Sequence, residues 1–159
     1  MLKKIKDILI KIKQDKPLIV NLTNDVTMNF VADGLLSLGA SPIMSKSEQE
    51  IEDLLQWAQA IVINFGTLDD AFIALSERAC IIANQLNKPV LLDPVGAGAS
   101  NYRTETCMKF LQQYNLSIIR GNASEIMSLA AVARLTKGVD STMDSQQAIE
   151  SAKNSFNAT

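Results

Sequence analysis

Leu91-Leu92-Asp93-Pro94-Val95-Gly96-Ala97-Gly98-Ala99 reads as an apolar strand that stops abruptly at a carboxylate and runs on into small residues. A second stretch, Leu116-Ser117-Ile118-Ile119-Arg120-Gly121-Asn122-Ala123-Ser124-Glu125, has the same form. In an open α/β sheet, ligands bind just beyond the carboxyl ends of the strands. Two acids and an arginine delivered there suit a metal-bound polyphosphate. Asp93 and Glu125 offer oxygen to a hard cation, and Arg120 offers its guanidinium to phosphate oxygens. These residues point to phosphoryl transfer.

Outward from this core, strand-like runs fall at 18–22, 41–44, 60–65, 89–93 and 116–120. They are short and apolar without clean alternation, as expected of parallel strands buried on both faces. Helical patterns lie between them at 26–38, 47–58 and 69–86, with another opening at Asn122 and one at 144–155. Ser47 and Glu50 form a possible capping box for segment 47–58. The alternation predicts an α/β domain, a mostly parallel sheet with helices on both faces, and one domain over 1–159. Helix 144–155 has no strand after it, so the sheet is expected to present an open edge that a partner covers, or the polypeptide is shorter than its fold requires.

Composition narrows the chemistry. The 47% hydrophobic and 20% charged content is ordinary for a globular protein, and a net charge of −2 gives no reason to expect nucleic-acid binding. No run approaches a membrane span. The lysine-rich start, with Leu2, Ile5, Ile8, Leu9 and Ile12 at helical spacing, predicts an amphipathic helix packed on the body with a solvated basic face rather than a membrane-surface helix. The chain has no histidine, which excludes histidine-based nucleophile systems and His-ligated zinc within it. Cys80 and Cys107 are far apart, with no CxxC pair; a buried free thiol is expected at Cys107, and a cytoplasmic location follows.

Each site residue also has a plain structural reading. Asp93-Pro94 starts many ordinary turns. Asn122 caps a helix, and Glu125 at its third position meets the positive helix end. That same helix start attracts phosphate. Asn21-Leu22-Thr23-Asn24-Asp25 holds a helix cap, with polar groups to spare for a small ligand. Met44 is either core filler or the apolar wall of a pocket. As a dinucleotide fingerprint, Gly96-Ala97-Gly98 fails because position 101 is Asn, which weakens a nicotinamide-dependent oxidoreductase.

Together these segments resemble the hydroxyethylthiazole kinase family of the ribokinase-like superfamily. The likeness runs collinearly from about residue 17 to 142. It is carried by Leu22-Thr23-Asn24 with Asn29, by Gly34-Leu35-Leu36 through Gly39-Ala40-Ser41-Pro42-Ile43-Met44, and by Ile63-Asn64 with Gly66-Thr67-Leu68. It continues through Leu92 to Ala99 with Arg103-Thr104-Glu105, Ile119 to Ile126, and Lys137-Gly138-Val139-Asp140. The resemblance implies a ribokinase-like fold. It implies ATP- and Mg²⁺-dependent phosphorylation of the hydroxyl of 4-methyl-5-(2-hydroxyethyl)thiazole in thiamine salvage. By position, Met44 and Asn24 would contact the thiazole, Arg120 and Asn122 the ATP phosphates, and Asp93 and Glu125 the Mg²⁺. It also implies a homotrimer with thiazole sites at subunit interfaces. Family members are longer, and their Thr-Gly-Glu strand end and Gly-Ala/Thr-Gly-Cys anion hole have no match in this sequence. No catalytic residue is therefore expected within this chain, whose C-terminal strands are expected to be missing. The alternative is a catalytically inactive, truncated thiazole-binding or pseudoenzyme module.

Overall fold

The computed structural model describes residues 2–136. In chain order it contains α1 (Leu2–Asp15), β1 (Leu18–Leu22), α2 (Met28–Leu38), β2 (Ser41–Met44), α3 (Ile51–Trp57) and β3 (Ala60–Asn64). There follow α4 (Asp70–Gln85), β4 (Val90–Asp93), α5 (Asn101–Gln113), β5 (Ile118–Ile119) and α6 (Ala123–Thr136). The expected helix at 144–155 and the stretch Lys137 to Asp140 lie outside the described residues.

The strands form one parallel sheet in the order β2-β1-β3-β4-β5. The chain steps from β1 to one neighbour, β2, and then returns past β1 to β3 and on to β4 and β5. Right-handed crossovers then place α2 on one face and α3, α4 and α5 on the other. The strand order reverses between β1 and β3, so the crevice beyond their carboxyl ends is the switch point of the sheet.

The two faces are unequally covered. Val20, Leu22, Ile61, Ile63, Val90 and Leu92 are fully buried on one face, against Ile51 and Leu55 of α3, Leu75 and Ala79 of α4, and Phe110 of α5. On the other face Ile19, Val62 and Leu91 are only half-buried and Ile118 is exposed. Among the described residues β5 has a neighbour only on the β4 side.

Local rules explain the boundaries. Asp69 accepts from the Phe72 amide at 2.7 Å and starts α4; Ser100 accepts from the Arg103 amide at 3.3 Å and starts α5. Gly39 closes α2 in the left-handed region, its amide bonding Leu36 O while Ala40 bonds Leu35 O. Two expectations are corrected. The Ser47–Glu50 capping box does not form: α3 starts at Ile51, and the Glu50 carboxylate accepts from the Ser45 hydroxyl instead. The apolar stripe of α1 does not pack into the core; none of its residues is buried, and Leu2, Ile5 and Ile8 face outward. Lys13 packs against Gly39, where a Cβ would meet Lys13 Cγ at 2.9 Å.

Candidate active site

Asn64 and Asp93 are register partners at the ends of β3 and β4, so the pleat sends both side chains to the same face. The Asn64 amide Nδ2 donates to Asp93 Oδ2 at 2.9 Å, and its Oδ1 accepts from Asn24 Nδ2 at 2.8 Å and from the Gly66 amide at 2.9 Å. On the far side of Asp93, Arg120 forms an ion pair with the same Oδ2. A continuous polar chain, Asn24–Asn64–Asp93–Arg120, therefore crosses the carboxyl ends of β1, β3, β4 and β5. Asn24, Asn64 and Asp93 are buried, while most of the Arg120 side chain stays open to solvent. Gly66 makes this possible: a Cβ there would lie 2.7 Å from Asn24 Nδ2 and 2.8 Å from Asn64 Oδ1.

Glu125 joins the group from the start of α6. Its Oε1 accepts from the Gly96 amide at 3.0 Å and its Oε2 from the Asn122 amide at 2.8 Å, while Asn122 Oδ1 accepts from the Glu125 amide at 3.0 Å. The last two bonds form a reciprocal capping box. The first ties the helix to the turn that follows Asp93. Cap and site are thus one structure, with the amide end of α6 and both carboxylates gathered beyond β4 and β5.

Two further residues belong to this centre, Asn64 and Arg103. Asn64 stands in the sequence only within the matched stretch Ile63-Asn64, yet it is the centre of the polar chain. Its signal was a carboxamide closing an apolar strand, the same signal that marked Asp93. Arg103 sits in the first turn of α5, where a cation opposes the helix dipole. It earns that place by donating to Val95 O at 2.9 Å, to Gly66 O at 3.1 Å and to Phe65 O. One guanidinium thereby fixes the loops after β3 and β4 together. Gly96, at φ +77°, accommodates it, since a Cβ would meet Arg103 Cδ at 2.9 Å. Phe65 anchors the same loop below, with its ring edge-on to Phe110 at 5.0 Å.

Asn24 also accepts from the Thr27 amide at 3.0 Å, which shapes the entry to α2; the cap residue itself is Thr27, without a side-chain cap bond. Beside Asn24 lies an open cleft of about 270 Å³, bounded by Thr23, Asp25, Lys46, Glu48, Thr67 and Phe72. Asp25 and Lys46 pair at its edge. Met44 is half-buried at the end of β2, in register with Asn21; neither Met44 nor Asn24 itself lines that cleft. Cys107, like Cys80, is a buried free thiol, as expected. Burial pushes Cys80 up to about 12, with Glu77 adding to the rise. Cys107 is pushed to about 12 by burial, with Arg103 opposing and Glu125 assisting. Neither is poised as a nucleophile.

The donor set can be tested against Mg²⁺. Among the described residues no group of three or more acids, cysteines or histidines is placed to hold a metal ion. Mg²⁺ does not require one, since it is commonly held by one or two carboxylates with waters and phosphates. Both contacts to Asp93 fall on Oδ2, so Oδ1 accepts no hydrogen bond among the described residues. Each oxygen of Glu125 accepts one amide and retains a further lone pair. The residues fit such an ion.

Comparison with known proteins agrees with this architecture. Residues 9–158 match the model of the hydroxyethylthiazole kinase family. The chain is 46% identical over 143 residues to the hydroxyethylthiazole kinase of Brachyspira hyodysenteriae, covering 90% of this chain and 54% of that protein. It is 49% identical over 131 residues to that of Carboxydothermus hydrogenoformans, covering 82% and 49%. The solved structure of a hydroxyethylthiazole kinase protein from Pyrococcus horikoshii OT3 superposes with a TM-score of 0.87 at 37% identity, covering 98% of this chain and 58% of that one. The chain spans about half the length of the curated relatives it matches.

Proposed function

The chain belongs to the hydroxyethylthiazole kinase family, and from that premise we propose that its site serves ATP- and Mg²⁺-dependent phosphorylation of the hydroxyl of 4-methyl-5-(2-hydroxyethyl)thiazole, in thiamine salvage. The observation that carries this reading is the gathering of Asp93, Arg120 and Glu125 beyond β4 and β5, joined through Asn64 to Asn24 at the switch point. Such a site positions two reactants and offers charge to a moving phosphoryl group, which is what phosphoryl transfer asks of a protein.

The roles divide by position. Asp93 and Glu125 would hold Mg²⁺, which when bound neutralises and orients phosphate oxygens. Arg120 and Asn122 face the nucleotide phosphates, supported by the positive end of the α6 dipole. For Arg120 this means exchanging its bond to Asp93 for a phosphate, and its solvent-exposed side chain has the freedom to do so. Asn24 and Met44 present the alcohol, with the neighbouring cleft accommodating the rest of the ligand. We read the chain as one α/β domain and assign no catalytic base within it, because neither Cys80 nor Cys107 lies in a Gly-Ala/Thr-Gly-Cys segment and both are buried.

A homotrimer with the alcohol site at the subunit interface is part of the same reading. Val26 and Phe30, at and beside the start of α2 and close to Asn24, are 90% and 81% exposed, the kind of apolar surface that a second copy covers. Cytoplasmic residence is in keeping with two unpaired thiols, and no described helix is long and apolar enough to cross a membrane. The test is a coupled assay of ADP release with and without the thiazole alcohol. Because no catalytic base is assigned within the chain, release that depends on the alcohol and on Mg²⁺ is expected to be far slower than that of a full-length relative in the same assay. Alcohol binding without release would assign the chain to the non-catalytic thiazole-binding reading instead.

A further inference from the structure

We propose that Asn64 is a positioning residue that couples the two halves of the site, so that whatever engages Asp93 sets how Asn24 is presented to the alcohol. This rests on the reading of Asn24 and Asp93 as the alcohol and nucleotide sides of one centre. The chemistry is that of a single carboxamide used from both ends. Its Oδ1 accepts from Asn24 Nδ2 at 2.8 Å and from the Gly66 amide at 2.9 Å, and its Nδ2 donates to Asp93 Oδ2 at 2.9 Å. A carboxamide cannot rotate to improve one bond without moving the other. Because Asn64 accepts, Asn24 must present its Nδ2 there and keep its Oδ1 for the Thr27 amide, at 3.0 Å. Asn24 is therefore oriented by its neighbour rather than by solvent. Arg120 competes with Asn64 for the same Asp93 oxygen. When phosphate draws Arg120 away, Oδ2 has one donor left, the Asn64 bond tightens, and the change passes to Asn24. Polar networks in buried surroundings transmit such changes because each bond polarises the next.

The experiment uses side-chain amide NMR on this chain, reading the Asn24 Nδ2H₂ cross-peak. In the wild-type background, Arg120→Ala and addition of Mg²⁺-ATP should each shift that peak. Asn64→Ala removes the carboxamide that joins Asn24 to Asp93; in that background Arg120→Ala should leave the Asn24 peak where it is. Asn64→Leu, neutral and of similar size, should give the same loss of response. An Asn24 peak unmoved by Arg120→Ala in the wild type, or still moved in either Asn64 variant, overturns the coupling. A peak that answers to Arg120→Ala but not to Mg²⁺-ATP supports the coupling and counts against the kinase reading.

Discussion

Asn24 donates to Asn64 at 2.8 Å across the point where the strand order of the sheet reverses. That crossing matters because β1 and β3 send their connections to opposite sides and leave a crevice between their carboxyl ends. The bond closes the floor of the crevice, and Asp93 and Arg120 extend it toward β5.

The crossing depends on the absence of a side chain at residue 66. Gly66→Ala would drive a methyl group to 2.7 Å from Asn24 Nδ2 and separate the two asparagines. A loss of about 1–3 kcal/mol in unfolding free energy is expected, the usual cost of overpacking. Urea denaturation checks it; a change of only a few tenths would mean that the pair is loosely held.

Arg103→Lys keeps the charge but removes the fork that reaches Phe65, Gly66 and Val95 carbonyls. Bonds from a charged donor contribute about 1.5–3 kcal/mol each, so a loss of about 2 kcal/mol or more is expected. Hydrogen exchange should localise the loosening to the 65–66 and 95–98 amides. Uniform destabilisation without that local signature would show that the clamp is not where the stability lies.

The two thiols give the molecule an alkaline limit. Unfolded, each titrates near its ordinary 9.0; folded, burial raises both to about 12. Between those values the unfolded chain sheds protons that the folded chain keeps. The stability they contribute is complete below about pH 9 and is lost as pH rises toward 12. Denaturation midpoints should fall between about pH 8 and about pH 10, and Cys107→Ala, though less stable at neutral pH, should show a shallower fall. The folded wild type should resist alkylation near neutral pH, and rapid labelling of Cys107 would contradict its burial.

Asp93→Asn can still accept from Asn64 through its own carbonyl oxygen, so the fold should survive, but the charge is gone. Mg²⁺-dependent nucleotide binding should weaken about tenfold or more, a difference of about 1.4 kcal/mol, while binding of the thiazole alcohol weakens less, since Asp93 reaches it only through Asn64 and Asn24. Calorimetry with each ligand separates the two, and equal losses would remove the division of roles across the site.

Most of the fold was legible because buried parallel strands announce themselves as apolar runs, and all five strands lie within those runs. Their ends shifted by a residue or two. Pro89, lacking an N–H, precedes β4 rather than opening it, and Arg120 leaves the regular pairing although its amide still reaches Leu92 O at 2.9 Å. The site acids and Arg120 were legible because charge at the end of an apolar strand needs a reason. Asn64 and Arg103 were not singled out, because what they do is defined by carbonyls and amides far away in sequence. A run of letters carries no sign of a guanidinium reaching back from position 103 to 65. The exposed stripe of α1 was misread for a related reason: helical periodicity shows which face is apolar, not what that face meets.

We propose that Asp93, Arg120 and Glu125 act together on a magnesium-bound nucleotide. Titration of ATP into the chain by calorimetry, with Mg²⁺ and with chelator, tests it most directly when repeated on Arg120→Ala and Glu125→Gln. Binding that requires Mg²⁺ and falls in both variants is expected. Binding indifferent to the metal and to both substitutions, or no binding by the wild-type chain, would contradict it.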